Sequence, residues 1–145
     1  MIRYRKESPM STNEAGGDPV GVLRNTIVEL VRREGPDLSA RQLGICLTCY
    51  LENEAQTVRG LAARLGVSKP AVTRALDRLA EFDLVRRKTD PLDRRSVLVQ
   101  RTPGGAAFLR ELRTILRDAA AAAKTTAEPA ASARHRSGGE ARVTH

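Results

Sequence analysis

Apolar positions recur at helical spacing in five stretches of the chain, with a change of period between the fourth and fifth. Val20, Leu23, Ile27, Leu30 and Val31 lie three and four residues apart. That spacing puts them on one stripe of a first helix, which closes near Gly35-Pro36. Ser39 is placed to cap a second helix from Ala40 to about Glu52, whose apolar set includes Leu43, Leu47, Tyr50 and Leu51. Thr57 caps a short third helix that turns Leu61, Ala62 and Leu65 inward and stops at Gly66. Ser68 caps a fourth, with Pro70 in its first turn and Val72, Ala75, Leu76 and Leu79 as the buried stripe. Two short helices joined at Leu65-Gly66-Val67-Ser68 predict a helix-turn-helix.

After Phe82 the period shortens. Leu84-Val85 leads a short β-branched and basic segment, and Ser96 to Gln100 follows after the polar stretch Thr89 to Arg95, which contains Pro91. Two strands around a charged loop predict a β-hairpin. Thr102-Pro103 starts a last helix with Ala107, Phe108, Leu112, Ile115 and Leu116 as its stripe, extended by alanines 119 to 123. Gly104-Gly105 is read simply as the opening of that helix. Residues 1–18 and 125–145 lack apolar periodicity, so both ends are expected to be disordered, with a folded body at 19–124. Met10 is an alternative start to Met1.

Charge sharpens this picture. Of a formal net charge of +8, residues 57–103 carry +6, concentrated on the helix-turn-helix and hairpin. Such a footprint points first to a polyanionic partner, and on charge alone a solvated basic face is an equal alternative. Aromatic residues make up only 3% of the 145 residues, which argues against a stacking platform for single strands. No run reaches the roughly 20 apolar residues of a membrane span, and the basic N-terminus lacks the apolar stretch of a secretory signal, so a cytoplasmic location is expected. Two cysteines alone complete neither a disulfide framework nor a zinc site.

The fourth helix is where chemistry is expected. Its buried stripe leaves Lys69, Ala71, Thr73, Arg74, Asp77 and Arg78 outside. Small and basic residues near a helix N-terminus suit entry into a major groove, with Ser68 and the helix end favouring a phosphate. Lys69 and Arg74 reach towards base edges or phosphates, and Thr73 towards a thymine methyl. In the hairpin loop, Arg94 or Arg95 suits a narrow minor groove, with Asp93 expected to hold a neighbouring arginine.

The stretch Thr57 to Ala62, then Val67-Ser68-Lys69-Pro70-Ala71-Val72-Thr73-Arg74, Leu79, Leu84-Val85-Arg86-Arg87 and Asp90-Pro91-Leu92-Asp93-Arg94-Arg95, resembles the MarR-type winged-helix transcription regulators. The resemblance covers roughly residues 20–120, and the Asp-Arg-Arg wing is its most specific part. It implies a mainly α domain with a small β-wing, in residues 57–102, flanked by N- and C-terminal dimerisation helices corresponding to 20–34 and 103–124. It also implies a homodimer that binds a pseudo-palindromic operator in double-stranded DNA, most often to repress transcription. The implied DNA-binding residues are Ser68, Lys69, Pro70, Thr73 and Arg74 on the recognition helix, and Arg94 or Arg95 at the wing with Arg87 supporting its base. Arg78, facing outward on the same helix, completes the set. Two positions depart from the family pattern: Asp83 stands where glycine is usual, and Arg101 where leucine is usual. Asp tolerates a left-handed backbone better than most residues.

Cys46 and Cys49 share a helical face, and admit two readings: a thiol switch, or two small residues facing the core. The second is favoured, because an i,i+3 disulfide distorts a continuous helix. The family resemblance also leaves open a small-molecule effector, with Tyr50 and Arg41 near the implied pocket. No cofactor is expected. Catalysis is not expected either, since both histidines, His135 and His145, lie in the tail and there is no phosphate-cradling glycine loop. Two rivals to sequence-specific regulation remain: a nonspecific architectural DNA binder, and a winged-helix protein-interaction module.

Overall fold

A computed structural model of the chain describes residues 17–134. Its elements run α1 (Pro19–Arg32), α2 (Ala40–Leu51), α3 (Val58–Leu65), α4 (Lys69–Glu81), β1 (Val85–Thr89), β2 (Val97–Arg101) and α5 (Pro103–Arg134). The described residues divide into two compact units. One is Glu34–Arg113; the other joins α1 to the part of α5 from Thr114 onward.

Local chemistry sets the helix starts in Glu34–Arg113. Ser39 and Gln42 form a reciprocal capping box at α2. The Thr57 hydroxyl accepts the Gly60 N–H at 2.9 Å, and the Ser68 hydroxyl accepts the Ala71 N–H at 3.2 Å. Gly66 ends α3 in the left-handed conformation. At the far end of α4, Asp83 takes φ 55°. The Asp83 N–H bonds the Ala80 carbonyl and the Leu84 N–H bonds the Leu79 carbonyl, so the helix closes in a Schellman motif with Asp in the position glycine normally fills.

β1 and β2 pair antiparallel, with Val85 opposite Arg101 and Thr89 opposite Val97. The segment before α3 adds to the outer side of β2: Thr57 bridges Leu98, and the Val99 N–H donates to the Gln56 carbonyl. The core of this unit joins Ile45, Cys46 and Cys49 of α2, Leu61 of α3, Val72, Leu76 and Leu79 of α4, Leu84, Val85, Val99 and Leu109. Ile45, Leu61, Val72, Leu76 and Leu79 are fully excluded from solvent.

Three expectations are corrected here. Within the apolar set of α2, Leu47 and Tyr50 pack against the core but Leu51, at the end of the helix, is 61% exposed. Ile45, Cys46 and Cys49 are buried, so the cysteines face the core as small hydrophobes, the reading favoured for them. Ala71, read as an outward residue of α4, is buried. The last helix does not end near Lys124 but continues to Arg134, so the segment from 125 expected to be disordered is helical that far. The alanines at 119 to 123 carry the helix towards this segment, since alanine loses no side-chain entropy in a helix. Residues 1–16 and 135–145 lie outside the described residues.

Gly105 does more than open α5. A Cβ there would lie 1.7 Å from the Tyr50 hydroxyl oxygen and 2.3 Å from the Leu84 carbonyl oxygen. Only glycine lets the helix start pass this close. Thr102, buried, accepts the Gly105 N–H at 2.9 Å through its hydroxyl and caps the helix.

In the second unit, Ile115 and Ala119 of α5 are buried, and Thr26 of α1 is buried with its hydroxyl donating to the Val22 carbonyl at 2.7 Å. Val20, Leu23, Ile27 and Val31, on one stripe of α1, remain exposed, as does Leu116. No helix among the described residues is long and apolar enough to cross a membrane.

Candidate nucleic-acid interface

α4 presents a buried side and a polar side at once. With Ala71, Val72, Ala75, Leu76 and Leu79 facing the core, the outer face carries Ser68, Lys69, Pro70 and Arg74 exposed and Thr73 half-exposed. Pro70 sits in the first turn, where its missing N–H leaves no ladder bond unmade. The first turn of α4 has no acidic residue, so its positive dipole end is not neutralised from within.

The hairpin loop, residues 90–96, is ordered by its own acids. The Asp90 carboxylate accepts the Leu92 N–H at 2.9 Å, and the Asp93 carboxylate accepts the Arg95 N–H at 3.1 Å. Backbone bonds from Asp90 to Ser96, Asp93 to Asp90 and Ser96 to Asp93 close the turn. Asp93, expected to hold an arginine side chain, holds the Arg95 backbone instead, because a short aspartate reaches the amide two residues on more readily than a guanidinium. The Arg94 and Arg95 side chains have no ion-pair partner among the described residues.

Arg87 lies on β1, and its guanidinium pairs with the Asp77 carboxylate of α4. It therefore ties the hairpin to the helix. Arg78 is occupied as well: its guanidinium meets Glu81 at 2.9 Å and lies 4.6 Å above the Phe82 ring. It lies in the last turns of α4, away from the end that carries Lys69.

The structure brings Lys69 and Arg95 together with Arg59, a residue of α3 that the sequence reading left out of the site. These three cations, with Asp93, Val58, Ser96 and Val97, line one groove of about 560 Å³. Arg59 is the second residue of α3, two positions after the capping Thr57. That placement was the available signal, since it sets a cation at the start of the helix preceding the turn.

The base of the hairpin is fixed by side chains far apart in sequence. The Tyr50 hydroxyl donates to the Leu84 carbonyl at 2.6 Å and accepts the Thr102 N–H at 3.0 Å. Arg101, the last residue of β2, donates to the Cys49 carbonyl at 2.9 Å and the Glu52 carbonyl at 2.6 Å, closing the open end of α2. Its guanidinium lies 5.6 Å from the centre of the Tyr50 ring.

Cys46 and Cys49 sit in the core of the same unit. Burial pushes the Cys46 thiol up to about 12, and the neighbouring Cys49 adds to that rise. Burial pushes Cys49 up to about 11, opposed by Arg101. Thiolate, the reactive form, is scarce at neutral pH at both positions. Among the described residues, no three His, Cys, Asp or Glu side chains cluster as a metal site would require.

A capped pair of short helices, the second presenting a polar face, followed by a hairpin tied back to it, is a winged helix-turn-helix. Comparison with known proteins narrows that class. The MarR family model matches residues 38–97. The transcriptional regulator BldR from Sulfolobus solfataricus is 35% identical over 68% of this chain and 71% of its own, with a TM-score of 0.51. A cysteine-to-serine mutant of MarR from Escherichia coli, solved with operator DNA, is 30% identical over 68% of this chain and 66% of its own, with a TM-score of 0.55. The YusO protein from Bacillus subtilis, at 21% identity, shares the fold over 79% of each chain with a TM-score of 0.62. The chain thus spans just under two thirds of the Escherichia coli protein it matches. No curated protein sequence matches it significantly. The chain belongs to the MarR family.

Proposed function

We propose that this protein is a non-enzymatic transcriptional regulator that binds double-stranded DNA at specific sequences, most often to repress. The observation that carries the reading is the groove in which Arg59, Lys69 and Arg95 meet from three different elements. Beside it, the first turns of α4 expose Ser68, Pro70 and Arg74 and half-expose Thr73. A helix N-terminus with small and cationic residues fits a major groove, while cations on the helix before it and on the wing fit the flanking phosphates. The structure of the Escherichia coli relative with operator DNA supports the same assignment. Arg94 and Arg95 are assigned to the wing contact and Arg87 to holding the wing against α4. Arg78 is assigned a supporting role at most, given its bonds to Glu81 and Phe82.

The working form is a homodimer in the cytoplasm, on an operator with two half-sites about 10 bp apart. The apolar stripe of α1 supports this, since Val20, Leu23, Ile27 and Val31 stay exposed when the chain is alone.

The test is selection of genomic fragments by the purified protein at about 150 mM salt, where binding to phosphate alone is weakened. Recovery of a palindromic motif is the expected result. Smooth recovery without a motif would replace this reading with an architectural DNA binder. Recovery of no DNA would favour a winged helix that docks a protein.

A further inference from the structure

Leu92, at the tip of the hairpin loop, is 95% exposed, more than any other large apolar residue described. The fold gives no reason for it. Its backbone N–H is held by the Asp90 carboxylate, and its φ is not in the left-handed region, so a polar residue would serve the turn equally well. Yet the tip is held in a fixed shape by five hydrogen bonds around residues 90–96. Arg94 and Arg95 follow immediately, without ion-pair partners among the described residues. Arg95 and Asp93 line the groove that Lys69 of α4 enters, so the tip stands on the same side of the unit as the start of that helix.

An isolated surface leucine is ordinary. One carried on a braced tip, two residues ahead of a pair of arginines, has a specific complement. The minor groove of B-DNA has apolar sugar walls and two rows of phosphates, and apolar side chains enter it between bases or along those walls. We infer that Leu92 is a specificity-determining residue of the wing: it sits in the minor groove flanking the α4 contact, beside the wing arginine that enters the same groove. The inference rests on the DNA-binding reading above. It further implies what the wing selects. The 2-amino group of guanine projects from the floor of the minor groove, where A·T pairs present only acceptors. A leucine seated there is excluded by G·C pairs and accepted by A·T pairs.

The experiment uses the full chain and a library of duplexes with a randomised core of about two helical turns, selected by the wild-type protein. The best duplex is then remade with each flanking A·T pair replaced by G·C or by inosine·cytosine. The inosine pair keeps the major-groove face of G·C but lacks the 2-amino group, so it isolates minor-groove readout. Wild type is expected to bind the G·C form about fivefold or more weaker than the inosine form. Leu92→Ser is expected to lose most of that discrimination, with its melting temperature unchanged because the side chain touches solvent. Leu92→Met, which keeps the apolar bulk, should retain it. If Leu92→Ser binds and discriminates as wild type does, the role of Leu92 is wrong while the DNA reading stands. If wild type selects no duplex at all, both are overturned.

Discussion

The two units of this chain treat apolar surface in opposite ways. Within Glu34–Arg113, leucines and valines from four helices and two strands close over one another, leaving Ile45, Leu61, Val72, Leu76 and Leu79 without solvent contact. In the unit built from α1 and the later part of α5, burial reaches Thr26, Ile115 and Ala119, while most of the α1 stripe faces water. The same helical periodicity therefore means two things. In the first unit it marks a core that one chain completes. In the second it marks an exposed apolar surface, which the proposed dimer would cover.

Replacement of matched residues tests that contrast most strongly. Leu76→Ala should cost about 2–5 kcal/mol, through lost burial and the cavity left behind. Ile27→Ala should change the melting of dilute protein by under about 0.5 kcal/mol, yet keep the protein monomeric in sedimentation at concentrations where the wild type pairs. Equal destabilisation by both in dilute protein would erase the distinction between the units. Gly105→Ala comes next, at about 3 kcal/mol, because its Cβ would collide with the Tyr50 hydroxyl and the Leu84 carbonyl. Pairing it with Tyr50→Phe removes the nearer oxygen, so chemical denaturation should find the double variant less destabilised than the sum of the singles.

Within the first unit, the outer face of α4 divides again. Arg74→Ala should weaken binding to a selected duplex by about 1–3 kcal/mol without changing stability. Arg78→Ala should weaken it by under about 0.5 kcal/mol, since its guanidinium is already engaged by Glu81 and Phe82. Fluorescence titration of both variants at one salt concentration checks the order. The smallest effect concerns the thiols. Their folded values are raised above the ordinary 9.0, to about 12 and 11, so the unfolded chain ionises first. The stability they contribute is complete below the ordinary value of 9.0 and declines as pH rises from there towards the folded values. Replacing both cysteines with alanine should flatten that part of the stability profile, and near neutral pH neither thiol of the native protein should react readily with a disulfide reagent. Rapid reaction accompanied by loss of DNA binding would restore the thiol switch.

What could be read from sequence was local. Ser39, Thr57 and Ser68 announce helix starts through bonds to residues three places on, and Gly66 and Asp83 announce turns through their tolerance of positive φ. The inward face of α4 followed from spacing alone, except at Ala71, whose small side chain suits either side. What escaped was long-range. Arg101 reaches Cys49 across 52 positions, and Gly105 is required by Tyr50 from a different helix. No periodicity encodes such meetings. Arg59 escaped for the same reason: it becomes part of the groove only when the hairpin loop folds back beside α3.

The bracing of the hairpin has a kinetic consequence. Tyr50 and Arg101 fix its base, Arg87 fixes its flank to α4, and Asp90 and Asp93 fix its tip. The entropy of ordering the wing is therefore lost when the chain folds, before any encounter with a ligand. Helix and wing then meet a ligand as one preformed surface, without waiting for a loop to find its shape. Arrival becomes a matter of diffusion and long-range attraction, sensitive to ionic strength, and differences among target sequences fall on residence time.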